Sequence, residues 1–283
     1  MSTSRWFELQ AEIANEFSNA VFQCLEYSTI CEELGFDHNR PRFEAMSPDL
    51  ILTPGQVTGI GWTVRRFSED HNPTMMGQLI ADFCGSGKTG IAIGIILYLE
   101  QLDKEGRAHS VAEGNRFQSS AILLAVPLNV CSQLVSELQR WAPALKFERY
   151  YNAADPDPIR AQDFAPGGRF DLYEPDNPHL FLTTFTYFST NHPAPWMYDA
   201  NLNEYSLNPA YDRSTSLANV FEFLLVDEAD QLKKGVSGTW GAAFVALKAR
   251  KRTTFTAILF PNRISDMIGM LELLEPPPDR LWP

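Results

Sequence analysis

The stretch QLIADFCGSGKTGIAIGIILYLEQL, residues 78–102, constrains the fold more than any other part of this chain. The apolar run QLIA has the length of a strand, and the run after Lys88 has the length of a helix. Between them lies a turn built on Gly85, Ser86 and Gly87. Glycines at such a turn let the backbone reverse sharply and aim its N–H groups inward. A strand, a glycine turn and a helix in that order open a β-α-β unit, whose next strand returns parallel to the first.

The same alternation continues downstream. SAILLAVP, HLFLTTF, FEFLLVDEAD and TTFTAILF are strand-length apolar segments, and VCSQLVSELQRWAP is a helical pattern between two of them. Runs such as AILLAV and FLLV carry no polar face, as expected of strands buried on both sides. The pattern predicts an α/β fold: a mostly parallel sheet with helices on both faces. We expect two regions. Residues 1–47 read as a helical extension and linker, with Trp6, Leu9, Ile13, Phe17, Val21 and Cys24 on one helical face over 5–27, and Pro41 and Pro48 marking a linker over 36–50. Residues 48–283 read as the main domain. Polar insertions near 152–179 and 191–217 read as surface loops, and the closing EPPPDRLWP as a proline-stiffened linker.

Composition narrows the function classes. With 283 residues, 45% hydrophobic and 20% charged, the chain matches an ordinary soluble globular protein with ample core. It has no run long enough for a membrane span, and its start, MSTSRWFELQAEIANEF, has no secretory apolar region. Cys24, Cys31, Cys84 and Cys131 are scattered without metal-ligand spacing and read as reduced thiols. The net charge of −12 argues against a broad basic face of the kind that self-sufficient nucleic-acid binders carry. The densest basic run, LKARKRTT at 247–254, reads as a localisation or phosphate-contacting patch, or as cations favoured by a helix C-terminus.

Two motifs carry chemistry. In the glycine turn, backbone N–H groups and the start of the helix would cradle phosphate oxygens. Lys88 would reach the β- and γ-phosphates and the Thr89 hydroxyl would bind Mg²⁺. The generic pattern has glycine five residues before Gly87, where this chain has Asp82. The second motif is LLVDEADQLKK at 224–234, a strand ending in acids at the edge where open α/β sheets bind ligands. Asp227 would hold Mg²⁺ through water, and Glu228 would act as general base toward an attacking water. A weaker signal is Gln56 in LTPGQVTGIGWTVRR, whose amide can both donate to and accept from an adenine edge.

Taken together, these segments resemble the first RecA-like lobe of the superfamily-two helicases, and most of all the Swi/Snf-type (Snf-two-like) DNA translocases. LTPGQVTGIGWTV resembles that family's entry motif, and LIADFCGSGKT its phosphate loop, which has an acid at the place of Asp82. AILLAVPLNVCSQLVSELQRWAP resembles motif Ia, HLFLTTFTYFST a strand ending in threonine and an aromatic, and FEFLLVDEADQLKK the Walker B box. TTFTAILFPNRISDMIGMLELLEP resembles motif III and the helix after it. The resemblance runs over about residues 50–275, in the family's order. It implies a RecA-like P-loop fold and an ATP hydrolase of the helicase or translocase type, with ATP and Mg²⁺ held by Gln56, Asp82, Gly85, Ser86, Gly87, Lys88, Thr89 and Asp227. It further implies coupling through Asp230 and Thr256, contacts to a DNA strand from Pro127, Asn129, Gln133 and Thr184, double-stranded DNA or chromatin as partner, and nuclear localisation.

Departures from the family pattern shape the expectation. The fourth residue of the acidic box is Asp230 where the family usually has histidine, and of motif III only the first threonine, Thr256, survives. Family members place ATP between two lobes, and the second lobe supplies arginines that are worth roughly 10³–10⁵ in rate. No second glycine-rich or arginine-bearing block follows residue 275. We therefore expect nucleotide binding with poor hydrolysis unless a second RecA-like lobe joins in cis or in trans. The competing expectation is a degenerate, non-catalytic module that binds a nucleotide or a protein. A GTPase or small-molecule kinase fits less well, because no Asn-Lys-x-Asp guanine reader is present.

Overall fold

The computed structural model describes residues 27–68, 77–104, 121–151, 158–172, 174, 176–258 and 265–274. The helix expected over 5–27 lies outside them except at Tyr27, as do Asn262 of motif III and the C-terminal EPPPDRLWP.

Six strands form one parallel sheet: β1 (Gly77–Ala81), β2 (Ile122–Val126), β3 (Phe147–Tyr150), β4 (Leu180–Thr184), β7 (Phe223–Val226) and β8 (Lys251–Thr256), in spatial order β1-β8-β7-β2-β4-β3. Every pairing is parallel. β5 (Trp196–Asp199) and β6 (Glu204–Leu207) form a separate antiparallel hairpin. The helices are α1 (Tyr27–Leu34), α2 (Pro54–Ser68), α3 (Lys88–Lys104), α4 (Leu128–Trp141), α5 (Phe185–Asn191), α6 (Thr239–Ala246) and α7 (Ser265–Leu274).

Strand alternation divides the core in two. Ile122, Leu124 and Val126 of β2 face a cluster that includes Val57, Ile60, Ile93 and Leu138 from α2, α3 and α4. Leu123 and Ala125, the alternate residues, face Phe188, Phe244 and Met270 from α5, α6 and α7. Successive side chains of a strand point to opposite faces, so a run with helices on both sides has no polar position. That is why AILLAV and FLLV are unbroken apolar runs, and the α/β class read from them holds.

Three segments differ from expectation. Residues 36–50 are packed rather than linking: Phe36, Phe43 and Met46 are buried with α2 and α3, and Ser47 donates from its N–H to Trp141 O (2.7 Å) and from its hydroxyl to Arg140 O (2.6 Å). The described parts of the polar insertions also carry core. Phe164 and Phe170 pack on Phe181 of β4, and the second insertion folds into the β5–β6 hairpin with Trp196 buried. Their prolines and acids sit around those few aromatics, so composition alone reads them as loop.

The basic run is the third difference. It starts at Leu247, the C-cap of α6, with Lys248 exposed there as a helix end favours, but from Arg250 on it turns inward and opens β8. Arg250 pairs with Glu222 (3.1 Å), and Lys251 is buried with its Nζ 5.3 Å from the Phe223 ring centre. Arg252 is 3% exposed and donates through Nε to Ala249 O (2.8 Å) and through Nη1 to Leu273 O (2.9 Å). Burial pushes its pKa down to about 10, and the carbonyl at the C-terminal end of α7 is a favourable partner for a cation. Cys31 and Cys131 are buried free thiols, and Cys84 is exposed.

Candidate functional site

The glycine turn sits where β1 gives way to α3. Gly85 and Gly87 have φ of 82° and 95°, in the left-handed region that favours glycine. A side chain at Gly87 would also collide with the Gln56 amide. Lys88 begins α3 and turns back over the loop, its Nζ donating to Asp82 O (2.8 Å) and Phe83 O (3.0 Å). The ammonium thus lies inside the loop, bound by backbone oxygens that an anion would replace as its partner. Asp82 and Ser86 are exposed and Thr89 is half-buried on the first turn of α3. Asp82 is tied to the sheet by its own N–H, which donates to Thr256 O (3.2 Å).

Gln56 lies on α2 and is buried against this loop. Its carbonyl accepts from Thr53 N–H (2.9 Å) and its Nε2 donates to Gly87 O (3.2 Å). The residue singled out as a base reader therefore supports the glycine turn.

β7 delivers the acids. Asp227 accepts through Oδ1 from Glu228 N–H (3.0 Å), and Glu228 sits at φ 52°, a left-handed conformation unfavourable for a glutamate. Such strain turns the chain sharply at the strand end and is typical of functional sites. Burial raises the Asp227 pKa, opposed by the Glu228 N–H and the Lys88 charge; Asp230 adds to the rise. Burial likewise raises Glu228, reinforced by Asp227 and Asp230 and opposed by Lys88. Lysine and acids, far apart in sequence, thus share one electrostatic field. Asp230 reaches the sheet from the other side, where its Oδ1 lies 3.2 Å from Thr256 Oγ1.

The donor set suits a hard divalent cation. Among the described residues, Asp227 Oδ2 and Thr89 Oγ1 make no hydrogen bond, leaving a carboxylate oxygen and a hydroxyl available. Mg²⁺ takes few protein ligands of this type and completes its shell with water and phosphate oxygens. No cluster of three or more His, Cys, Asp or Glu suited to a metal occurs among the described residues.

The remaining predicted residues line the same edge of the sheet. Pro127 precedes α4, and Asn129 and Gln133 are exposed on it. Thr184 is 3% exposed and caps α5, its Oγ1 accepting from Tyr187 N–H (3.3 Å). Its hydroxyl is thus occupied within the protein.

Sequence reasoning missed Glu272. From α7 its carboxylate accepts from Val236 N–H (2.9 Å), in the segment just beyond the acidic box. Gly235, Gly241 and Gly269 let the backbones meet there, since a side chain on any of them would strike the neighbouring chain. Burial raises the Glu272 pKa, and the Val236 N–H opposes it. The available signal was an acid inside the otherwise apolar run MIGMLELL of that helix.

The geometry agrees with what is similar to this chain. The yeast (Saccharomyces cerevisiae) ATP-dependent helicase FUN30 is 25% identical over 242 residues, 85% of this chain and 17% of FUN30. The Drosophila melanogaster homologue of a SWI/SNF-related, matrix-associated, actin-dependent regulator of chromatin (subfamily A, containing DEAD/H box 1) is 23% identical over 233 residues, 82% of this chain and 22% of that protein. The chain therefore spans less than a quarter of the length of either relative. Among solved structures, the Sulfolobus solfataricus SWI2/SNF2 ATPase core domain superposes with a TM-score of 0.51 at 22% identity, covering 83% of this chain and 38% of that one. The same core in complex with dsDNA gives 0.50 at 19% identity, with the same coverage. These superpositions bear on the fold, which is that of the RecA-like core. The SNF2-related domain model matches residues 55–280, from the helix of Gln56 past the glycine turn and the acidic box to beyond α7. With fold, motif order and sequence match in agreement, this chain belongs to the SNF2-related domain family.

Proposed function

We propose that the chain is the ATP-binding lobe of a Swi/Snf-type DNA-dependent ATPase that acts on double-stranded DNA or chromatin in the nucleus. The observation that carries this reading is the convergence of the Lys88 ammonium with the half-buried Asp227 and Glu228 carboxyls at the C-terminal edge of one parallel sheet. Lys88 would leave the Asp82 and Phe83 carbonyls for the β- and γ-phosphates of ATP. Backbone N–H groups of the 85–87 turn would donate to the remaining phosphate oxygens. Gln56 would read adenine with the donor capacity that Gly87 O leaves free.

Thr89 and Asp227 would hold Mg²⁺, which when bound neutralises phosphate charge. The raised pKa of Glu228 suits it to take a proton from the attacking water. Asp230 and Thr256 connect this chemistry to β8. Hydrolysis would be slow until a second RecA-like lobe, in cis or in trans, supplies arginines to the transition state. DNA as the partner is supported by the family and by a superposable structure solved with dsDNA, and we place it along this edge because Pro127, Asn129 and Gln133 lie there.

The test is a Mg-ATP titration of the chain and of Lys88→Ala, with steady-state turnover followed with and without double-stranded DNA. The expected result is saturable binding that Lys88→Ala abolishes, with negligible turnover by the lobe alone. DNA-stimulated turnover would mean that an arginine arrives by self-association. Absence of binding would overturn the reading in favour of a non-catalytic partner-binding module.

A further inference from the structure

Beside the proposed nucleotide site, the turn after β2, the start of α5, the segment after the acidic box and the start of α6 border an open pocket of about 330 Å³. Its apolar surface comes from Pro127, the exposed Leu128, Phe185 and Trp240. Phe185 is 2% exposed and braces the half-buried indole of Trp240, with ring centres 5.7 Å apart at 48°. The indole is therefore held in place with part of its surface open. Asn129, Thr186 and Gln231 bring polar side chains to the rim. All three are exposed, and among the described residues none of these side chains makes a hydrogen bond.

The chemistry of this lining is selective. No lysine, arginine, aspartate or glutamate lines the pocket, so nothing in it would compensate a phosphate or a charged side chain. An aromatic wall favours a flat partner. Two amides and a hydroxyl at the rim favour a partner whose edge alternates donors and acceptors. The volume lies at the small end of ligand pockets, room for a ring system but not for a whole nucleotide with its phosphates. A neutral, flat, polar-edged ring is a nucleobase.

We infer that this pocket takes a single unpaired nucleobase, stacked on Trp240 with its edge toward Asn129, Thr186 and Gln231. The inference rests on the reading of this edge as the side that faces DNA. It adds that the lobe engages an extruded or unpaired base as well as the duplex backbone. Stacking tolerates any base, so the pocket senses the presence of an unpaired base rather than its identity.

The experiment uses the whole chain and three fluorescein-labelled duplexes at one fixed salt concentration, read by anisotropy. One duplex is fully matched, one carries a single extra unpaired base, and one carries an abasic residue at that extra position. The unpaired-base duplex is expected to bind about 5- to 150-fold more tightly than the abasic one. Trp240→Ala removes that advantage and Trp240→Phe keeps most of it, while affinity for the matched duplex stays the same in both. Gln231→Ala, a substitution at an exposed side chain, reduces the advantage about 2- to 10-fold and guards against a folding defect in the tryptophan variants.

Equal affinity for the unpaired-base and abasic duplexes overturns the inference, while binding of the matched duplex leaves the DNA reading standing. An advantage that survives in Trp240→Ala places the base elsewhere and also overturns it. Failure to bind any of the three duplexes ends both readings together.

Discussion

The Thr256 hydroxyl lies 3.2 Å from Asp230 Oδ1, joining the end of β8 to the last residue of the acidic box. It is also 3.0 Å from Ile258 O and accepts from Ile258 N–H at 3.0 Å, so one hydroxyl organises the turn that leaves the sheet. Thr256→Val keeps the shape and strips these contacts. We expect a loss of about 1–3 kcal/mol in urea denaturation, because the Ile258 N–H and an Asp230 oxygen lose their partner in a part-buried site. Nucleotide affinity should be retained while any DNA-stimulated turnover falls. Loss of affinity instead would assign Thr256 to binding rather than to coupling.

Burial makes the Asp227 charge costly to the fold. Its carboxyl has a raised pKa in the folded chain, so ionisation there is harder than in the unfolded one. The sign follows: this group favours folding as pH drops through its elevated pKa toward the ordinary 3.8, and opposes folding above that range. Asp227→Asn should therefore raise stability by about 1 kcal/mol at pH 7 while eliminating Mg²⁺-dependent nucleotide binding. Thermal melting beside a Mg-ATP titration checks both halves.

His192 carries the opposite dependence. It is 5% exposed, with Nδ1 2.6 Å from Thr215 O and Nε2 2.6 Å from the Tyr150 hydroxyl. A neutral ring donates to the first and accepts from the second. Burial lowers its pKa from 6.5 to about 4, so the unfolded chain binds the proton first as pH falls. Stability is complete above pH 6.5 and is lost progressively down to about pH 4, by roughly 3 kcal/mol in all. His192→Gln should flatten that part of the profile in urea titrations between pH 7.5 and pH 4.5.

Gln56 and Gly90 should be energetically coupled. A methyl group at Gly90 would strike the Gln56 amide and the Trp141 ring. Gly90→Ala is expected to cost about 1–3 kcal/mol through overpacking. Shortening the neighbour in Gln56→Ala,Gly90→Ala should recover part of that, so the double variant loses less than the two single ones added. Strict additivity in melting experiments would mean that the loop adjusts away from Gln56.

The sheet and the glycine turn were legible because each rests on a local pattern. A strand buried on both faces writes itself as AILLAV or FLLV, and the phosphate loop as glycines before Lys88. Long-range burial leaves no such trace. Phe43 and Met46 are spaced among prolines and charges without helical or strand periodicity, yet both pack into the core. Arg252 reads as surface because its charge is obvious and the Ala249 and Leu273 carbonyls that satisfy it are not. β3, FERY, alternates too briefly to stand out, and the hairpin of β5 and β6 is hidden by its asparagines and acids.

β1, the strand that leads into the glycine turn, lies at the end of the spatial order and, among the described residues, pairs only with β8, about 170 residues further along the chain. During synthesis at roughly 5–20 residues per second, the loop's supporting strand waits on the order of 10–30 s for its neighbour. Until then its backbone N–H and C=O groups are an open ladder, available to any other extended segment. The glycine turn is thus among the last parts of the sheet edge to be completed on the ribosome, although its own sequence emerges in the first third of this chain.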